Sequence, residues 1–258
     1  MTALSGRRIV VTRRPGQAAA LVQALRDRGA EVIELPAIDT APPEDTGPLD
    51  DALGHLARYD WVAFTSANAV EAVRDRLRAL GLAPSFRGDG PRVASVGAST
   101  SEAWRAAFPD GRIDLQPEGE FRAGGLLRAF TGTLLDGARV LLPASGRARD
   151  ELPQGLRGLG ATVDVVEAYR TVEPAGLAEA VTRCINMGFG AATFASPSAV
   201  EGFAKAAGPR VAGLPVVVIG PTTEAAARAA GMDVREVAHP STAEGLLAAL
   251  ERVFAPPP

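Results

Sequence analysis

Short, largely apolar runs, broken only by Ser95 and Thr193, recur along the chain at residues 9–11, 61–64, 93–96, 140–142, 192–194 and 216–219. Each has the length of a strand and carries no alternating polar position, the pattern of parallel strands covered on both faces. After each comes a turn of small residues and then a stretch rich in alanine and leucine. Strand alternating with helix predicts an α/β fold, with parallel sheets flanked by helices and joined by right-handed crossovers. The segment around Pro42, Pro43, Gly47 and Pro48 reads as a loop or linker.

The runs fall into two matched series. RRIVVTRRPGQAAALVQALRDRGAEVIELPAIDT, from Arg7, aligns with ARVLLPASGRARDELPQGLRGLGATVDVVEAYRT, from Ala138, so that Gly29 meets Gly160 at an offset of 131. DWVAFTSANAVEAV aligns with GAATFASPSAVEGF, Phe64 meeting Phe194 at 130, and RVASVGASTSEAWRAA aligns with PVVVIGPTTEAAARAAG, Gly97 meeting Gly220 at 123. Three blocks in one order at nearly constant offset imply an internal duplication, and so two similar lobes.

Composition narrows the chemistry. At 47% hydrophobic and 22% charged over 258 residues, the chain can bury an ordinary core. No apolar run reaches the roughly 18 residues of a membrane helix, and Arg13 and Arg14 interrupt any signal-like core near the N-terminus. A cytoplasmic location and no membrane partner are therefore expected. The lone Cys184 cannot form an internal disulfide, and with His55 and His239 it makes too few ligands for a Cys/His zinc site, so no metal is expected. Lys205, the one lysine, is a weak basis for Schiff-base chemistry. A net charge of −3 with scattered basic residues argues against nucleic acid. Glycine-rich phosphate loops, HExxH and GxSxG are all missing.

Ligands of open parallel sheets bind beyond the carboxyl ends of the strands. Four kinds of turn lie there in pairs: Thr12-Arg13-Arg14-Pro15 with Ala144-Ser145-Gly146-Arg147, Thr65-Ser66-Ala67-Asn68 with Ala195-Ser196-Pro197-Ser198, Gly97-Ala98-Ser99-Thr100 with Gly220-Pro221-Thr222-Thr223, and Asp39-Thr40 with Tyr169-Arg170-Thr171. A hydroxyl or amide residue at such a turn ordinarily caps the next helix. Repeated over two lobes, these turns predict a site of hydroxyls and backbone N–H donors suited to a carboxylate-rich ligand.

At these blocks the sequence resembles the uroporphyrinogen-III synthase family, from about Arg7 to Leu250, through IVVTRRPGQAAALVQAL, FTSANAV, FASPSAV, EAYRT, IGPTTEAAARAAG and HPSTAEGLLAAL. The resemblance implies a cofactor-independent lyase of tetrapyrrole (haem) synthesis. Its substrate would be hydroxymethylbilane, an octacarboxylate, closed to a ring with loss of water and inversion of ring D. It also implies one lobe from residues 1–38 and 171–258, a second from 39–170, two linker strands between them forming a hinge, and a ligand cleft between the lobes. By motif match, Tyr169 would assist loss of the hydroxyl. Thr12, Arg13, Ser66, Asn68, Arg147, Ser196, Ser198, Thr222 and Thr223 would bind the substrate. The turn GAST, where the other lobe has GPTT, is expected to be looser. A monomer, meeting hydroxymethylbilane synthase only transiently, is the expected assembly. The rival reading is a non-catalytic, two-lobed tetrapyrrole- or anion-binding regulatory module.

Overall fold

A computed structural model describes residues 2–83, 86, 90–118, 123–133, 135–146 and 150–256. Among these, the chain divides into two compact units, Met1–Asp39 with Thr171–Pro258, and Thr40–Arg170.

The first unit holds strands β1 (Arg8–Val11) and β2 (Glu31–Glu34), with helix α1 (Pro15–Asp27) connecting them. After the second unit the chain returns as α7 (Leu177–Met187), β8 (Ala191–Phe194), α8 (Pro197–Ala207), β9 (Pro215–Val218), α9 (Pro221–Ala229), β10 (Asp233–Val237) and α10 (Ala243–Phe254). The sheet order is β10-β9-β8-β1-β2, parallel throughout. Alternate strand residues serve opposite faces. Ile9, Val11, Ala191 and Val217 pack with α1 and α10, whereas Val10, Ala192, Phe194, Val216 and Val218 pack with α7, α8 and α9. Burial on both faces is why the central strands β1, β8 and β9 read as largely apolar runs.

The second unit contains β3 (Asp39–Ala41), α2 (Gly47–Gly54), β4 (Trp61–Phe64), α3 (Ala67–Ala79), β5 (Arg92–Ser95), α4 (Ala98–Ala107), α5 (Ala123–Phe130), β6 (Arg139–Ser145), α6 (Glu151–Gly158) and β7 (Thr162–Val172). Its sheet order is β3-β7-β6-β4-β5. The matched sequence blocks occupy matched places, β9-β8-β1-β2 in one sheet against β5-β4-β6-β7 in the other. One face packs on α2, α3 and α4 around Phe64 and Trp104, the other on α5 and α6 around Trp61 and Phe130. The paired Gly-Ala positions close α1 and α6 alike. Gly29 and Gly160 take φ of +78° and +91°, and the amides of Ala30 and Ala161 donate to the carbonyls of Leu25 and Leu156, both at 3.1 Å. That left-handed closure is the usual reason for glycine just past a helix.

One sequence expectation changes here. Gly47 and Pro48 are not loop but the first turn of α2, where proline lacks only an N–H that would have no helical partner. Beside the turn GAST, Ser101 Oγ stands 2.9 Å from Ser95 Oγ and donates to Gln116 Oε1 at 2.5 Å, while Ser95 donates to the Gly97 carbonyl at 3.2 Å.

Acid sensitivity follows from two aspartates of the second unit. Hydrogen bonds from Arg76 hold the Asp50 carboxyl below its ordinary range. Burial pushes Asp164 up, but hydrogen bonds from Tyr59 and Arg139 outweigh it and the net shift is down. Groups depressed in the folded state stabilise it above their unfolded pKa, about 3.9 for aspartate, and that stability is lost as pH falls through the folded values. Urea titrations between pH 6 and pH 2.5 are therefore expected to show stability falling below about pH 4. Asp164→Asn is expected to flatten part of that slope; an unchanged slope would remove Asp164 from the account.

Candidate functional site

In each sheet the chain winds outward in both directions from one pair of strands. The pair is β1 and β8 in the first unit, and β6 and β4 in the second. Such a reversal leaves a crevice at the carboxyl ends of the two central strands, where open α/β sheets bind ligands. The residues at these ends are Thr12, Arg13, Ala195 and Ser196 in one unit, and Thr65, Ser66, Ser145 and Gly146 in the other.

In the second unit Ser66 is the N-cap of α3, its Oγ accepting from the Ala69 amide at 3.1 Å. Its extended backbone (φ −156°, ψ 151°) ends the strand and starts the helix, the geometry for which serine is favoured. The same Oγ lies 3.2 Å from the Tyr169 hydroxyl, so the structure joins two residues separated by 103 positions. Tyr169 reaches Ser66 because of a register shift. Opposite β6, Ala144 pairs with Glu167 but Ser145 pairs with Tyr169, leaving Ala168 as a bulge. Val166 and Ala168 face the α3 side of the sheet, whereas Val163 faces the α5–α6 side. Strict alternation would send Tyr169 with Val163; the bulge turns it back onto the α3 side, where it is buried. Asn68, in the first turn of α3, is half-buried.

The first unit repeats the turn without the tyrosine. Ser196 caps α8 by accepting from the Ala199 amide at 3.2 Å, and its Oγ lies 3.2 Å from Ser198 Oγ. The position matching Tyr169 is Ile38, a half-buried apolar residue. Thr222 is exposed and Thr223 buried in the first turn of α9, which also carries Glu224. Arg13 is half-buried beyond β1, and neighbouring Arg14 lies 3.9 Å from Asp39.

Thr12 is corrected by its surroundings. It is fully buried, and its hydroxyl donates to the Thr193 carbonyl at 2.6 Å, so it clasps the two central strands and has no face left for a ligand. Arg147 lies outside the described residues. Two features near the crevice went unread in the sequence. Ser145 faces Tyr169 across the sheet, and the Glu167 carboxylate packs so close to Gly146 that a Cβ there would overlap it. Only the pairing of β6 with β7 brings them together, so no local pattern announced them.

The other tyrosine, Tyr59, precedes β4 at the opposite end of the sheet. Burial raises its pKa, its hydroxyl donates to Asp164 at 2.9 Å, and Arg58 donates to it at 2.9 Å. This network ties strand beginnings together and is remote from the crevice. Cys184 is buried in α7, with its thiol pKa raised by burial, and Lys205 is exposed beside Glu173. Neither is disposed as a nucleophile. Among the described residues no group of three or more His, Cys, Asp or Glu is placed to hold a metal ion, and no helix is long and apolar enough to cross a membrane.

Comparison with known proteins points in one direction. A family model described as uroporphyrinogen-III synthase HemD matches residues 19–248. The chain is 32% identical over 260 residues to the uroporphyrinogen-III synthase of Synechococcus elongatus, covering 96% of both chains. It is 29% identical to the chloroplastic enzyme of Oryza sativa subsp. japonica, covering 91% of this chain and 76% of that one. Among solved structures, a uroporphyrinogen III synthase mutant from Thermus thermophilus superposes with a TM-score of 0.59 at 20% identity, covering 96% of this chain and 99% of that one. The Helicobacter pylori uroporphyrinogen-III synthetase gives 0.56 at 15% identity, covering 94% and 97%. At those identities the structures speak for the fold alone.

Proposed function

This chain belongs to the uroporphyrinogen-III synthase family, and on that premise we propose that it is a cofactor-independent lyase converting hydroxymethylbilane to uroporphyrinogen III. The observation that carries the reading is the pair Ser66 and Tyr169, which holds a phenol at the carboxyl ends of β4 and β6 in a chain related along almost its whole length to these enzymes.

The chemistry needs little from the protein beyond proton transfer and positioning. Tyr169 gives its proton to the hydroxyl of the substrate's hydroxymethyl group as that C–O bond breaks and water leaves. The pyrrole N–H proton freed as the azafulvene forms restores the phenol, so the step balances. Closure through a spiro intermediate then inverts ring D. Because the bilane also cyclises unaided without inversion, selectivity rests on holding one substrate conformation. Acetate and propionate groups are bound by Asn68, Ser196, Ser198 and Thr222 together with the N-terminal amides of α3, α8 and α9, with Arg13 adding charge. The matching turns of the two units fit an origin by duplication, each copy supplying the same kind of carboxylate-binding helix start.

The test is a coupled assay: hydroxymethylbilane is generated in place by its synthase, the protein is added, and the oxidised porphyrin isomers are separated. A predominance of isomer III is the expected result. Isomer I alone, from folded protein, would sink the catalytic reading and favour a tetrapyrrole- or anion-binding regulatory module.

A further inference from the structure

We propose that Ser66 is a positioning residue for Tyr169 and not a carboxylate ligand, an inference that rests on the catalytic reading above. A serine oxygen has one proton and two lone pairs. In Ser66 one lone pair is taken by the Ala69 amide, which closes the start of α3 and fixes the side-chain rotamer. What remains of the hydroxyl stands 3.2 Å from the Tyr169 oxygen. The phenol ring itself is buried and held by the bulge at Ala168, so its O–H rotor is the one freedom left to set.

Ser66 sets it by donating to the phenol oxygen, which leaves the phenol proton directed away from Ser66 and available for transfer. The Ala69 N–H strengthens Ser66 as a donor by polarising it. As the proton leaves, the charge building on the phenol oxygen meets the Ser66 O–H and the positive end of α3. The duplicated turn separates this role from capping. Ser196 caps α8 in the same way, yet its second neighbour is Ser198 and the position matching Tyr169 is Ile38. A serine here therefore completes its turn without a tyrosine; the contact in the second unit is additional to the cap.

Three variants test the assignment. Thr242→Ala is the control for loss of a cap alone, since Thr242 caps α10 by accepting from the Gly245 amide at 3.1 Å and is not among the residues assigned to the substrate. Ser66→Ala and Thr242→Ala are both expected to melt a few degrees below the parent. Only Ser66→Ala is expected to lower kcat, by about tenfold, with KM changed less than about twofold. Ser66→Thr keeps a hydroxyl and is expected to recover kcat to within about threefold. In a Tyr169→Phe background, Ser66→Ala is expected to cost less than about a further twofold, because its partner oxygen is already gone.

A raised KM with unchanged kcat would overturn the inference in favour of carboxylate binding, and so would a full tenfold loss in the Tyr169→Phe background. A second measurement needs no turnover. The chain has two tyrosines, so protein carrying ¹³Cζ-tyrosine gives two resonances, identified by Tyr169→Phe. The Tyr169 signal is expected to move in Ser66→Ala and to stay in Thr242→Ala. An unmoved signal refutes the Ser66 assignment even in an inactive protein, whereas isomer I alone from the parent refutes the catalytic reading.

Discussion

Tyr169→Phe is expected to lower kcat for isomer III formation by about 10²-fold or more, the lower end of what one well-placed proton donor contributes. The substitution removes a single oxygen. The ring keeps its contacts in the core with Val166 and Ala168, and Ser66 keeps the Ala69 amide that caps α3. Stability is expected to fall by no more than about 1 kcal/mol, the net worth of one hydrogen bond. Because uncatalysed closure continues, the isomer ratio at equal protein concentration should also swing towards isomer I. A kcat equal to the parent's would remove the phenol from proton transfer and leave the family resemblance without its chemical centre in this chain.

Gly245→Ala is expected to be the most damaging small substitution in the first unit. Gly245 is buried in the first turn of α10, its amide bonded to Thr242 Oγ1, and a Cβ there would fall inside contact distance of the Pro240 carbonyl oxygen. That oxygen belongs to the backbone, so relief requires moving the chain before α10 or the helix itself. The helix buries Leu246, Leu247, Ala249 and Leu250 against β1 and α1, and a shift would open that face. A loss of about 3 kcal/mol or more follows from overpacking combined with the opened core, which lowers Tm by roughly 6–12 °C in a chain of this size. Gly16→Ala, in the first turn of α1 with nothing within 4 Å of its added carbon, is the matched control and is expected to be neutral or slightly stabilising. If both variants melt alike, the segment before α10 yields easily and the close approach carries no energy.

Neither expectation was equally visible beforehand. EAYRT marks Tyr169 by its resemblance to the family, whereas nothing in HPSTAEGLLAAL distinguishes the glycine that must be small from one that merely occurs in a helix. Its constraint comes from the path of Pro240, five residues earlier in sequence but folded back against it.

Local sequence dictates the alternation of strands and helices, the apolar core of each sheet and the starts of α3 and α8, and the start of α10 is built in the same way. These depend on contacts a few residues apart: a hydroxyl reaching the amide three positions on, as at Ser66, Ser196 and Thr242, or a run of apolar residues long enough for one strand. Tertiary structure decided which hydroxyls are open to a ligand and which way the tyrosine faces. Thr12 and Ser66 look alike as hydroxyls after a strand, yet Thr12 sits where a neighbouring carbonyl takes its proton and its surface is wholly covered. Tyr169 would lie on the other face of its sheet without the extra residue at Ala168. Side chains alternate with period two, so one unpaired residue reverses every orientation beyond it, and whether a residue goes unpaired is settled by the strand alongside.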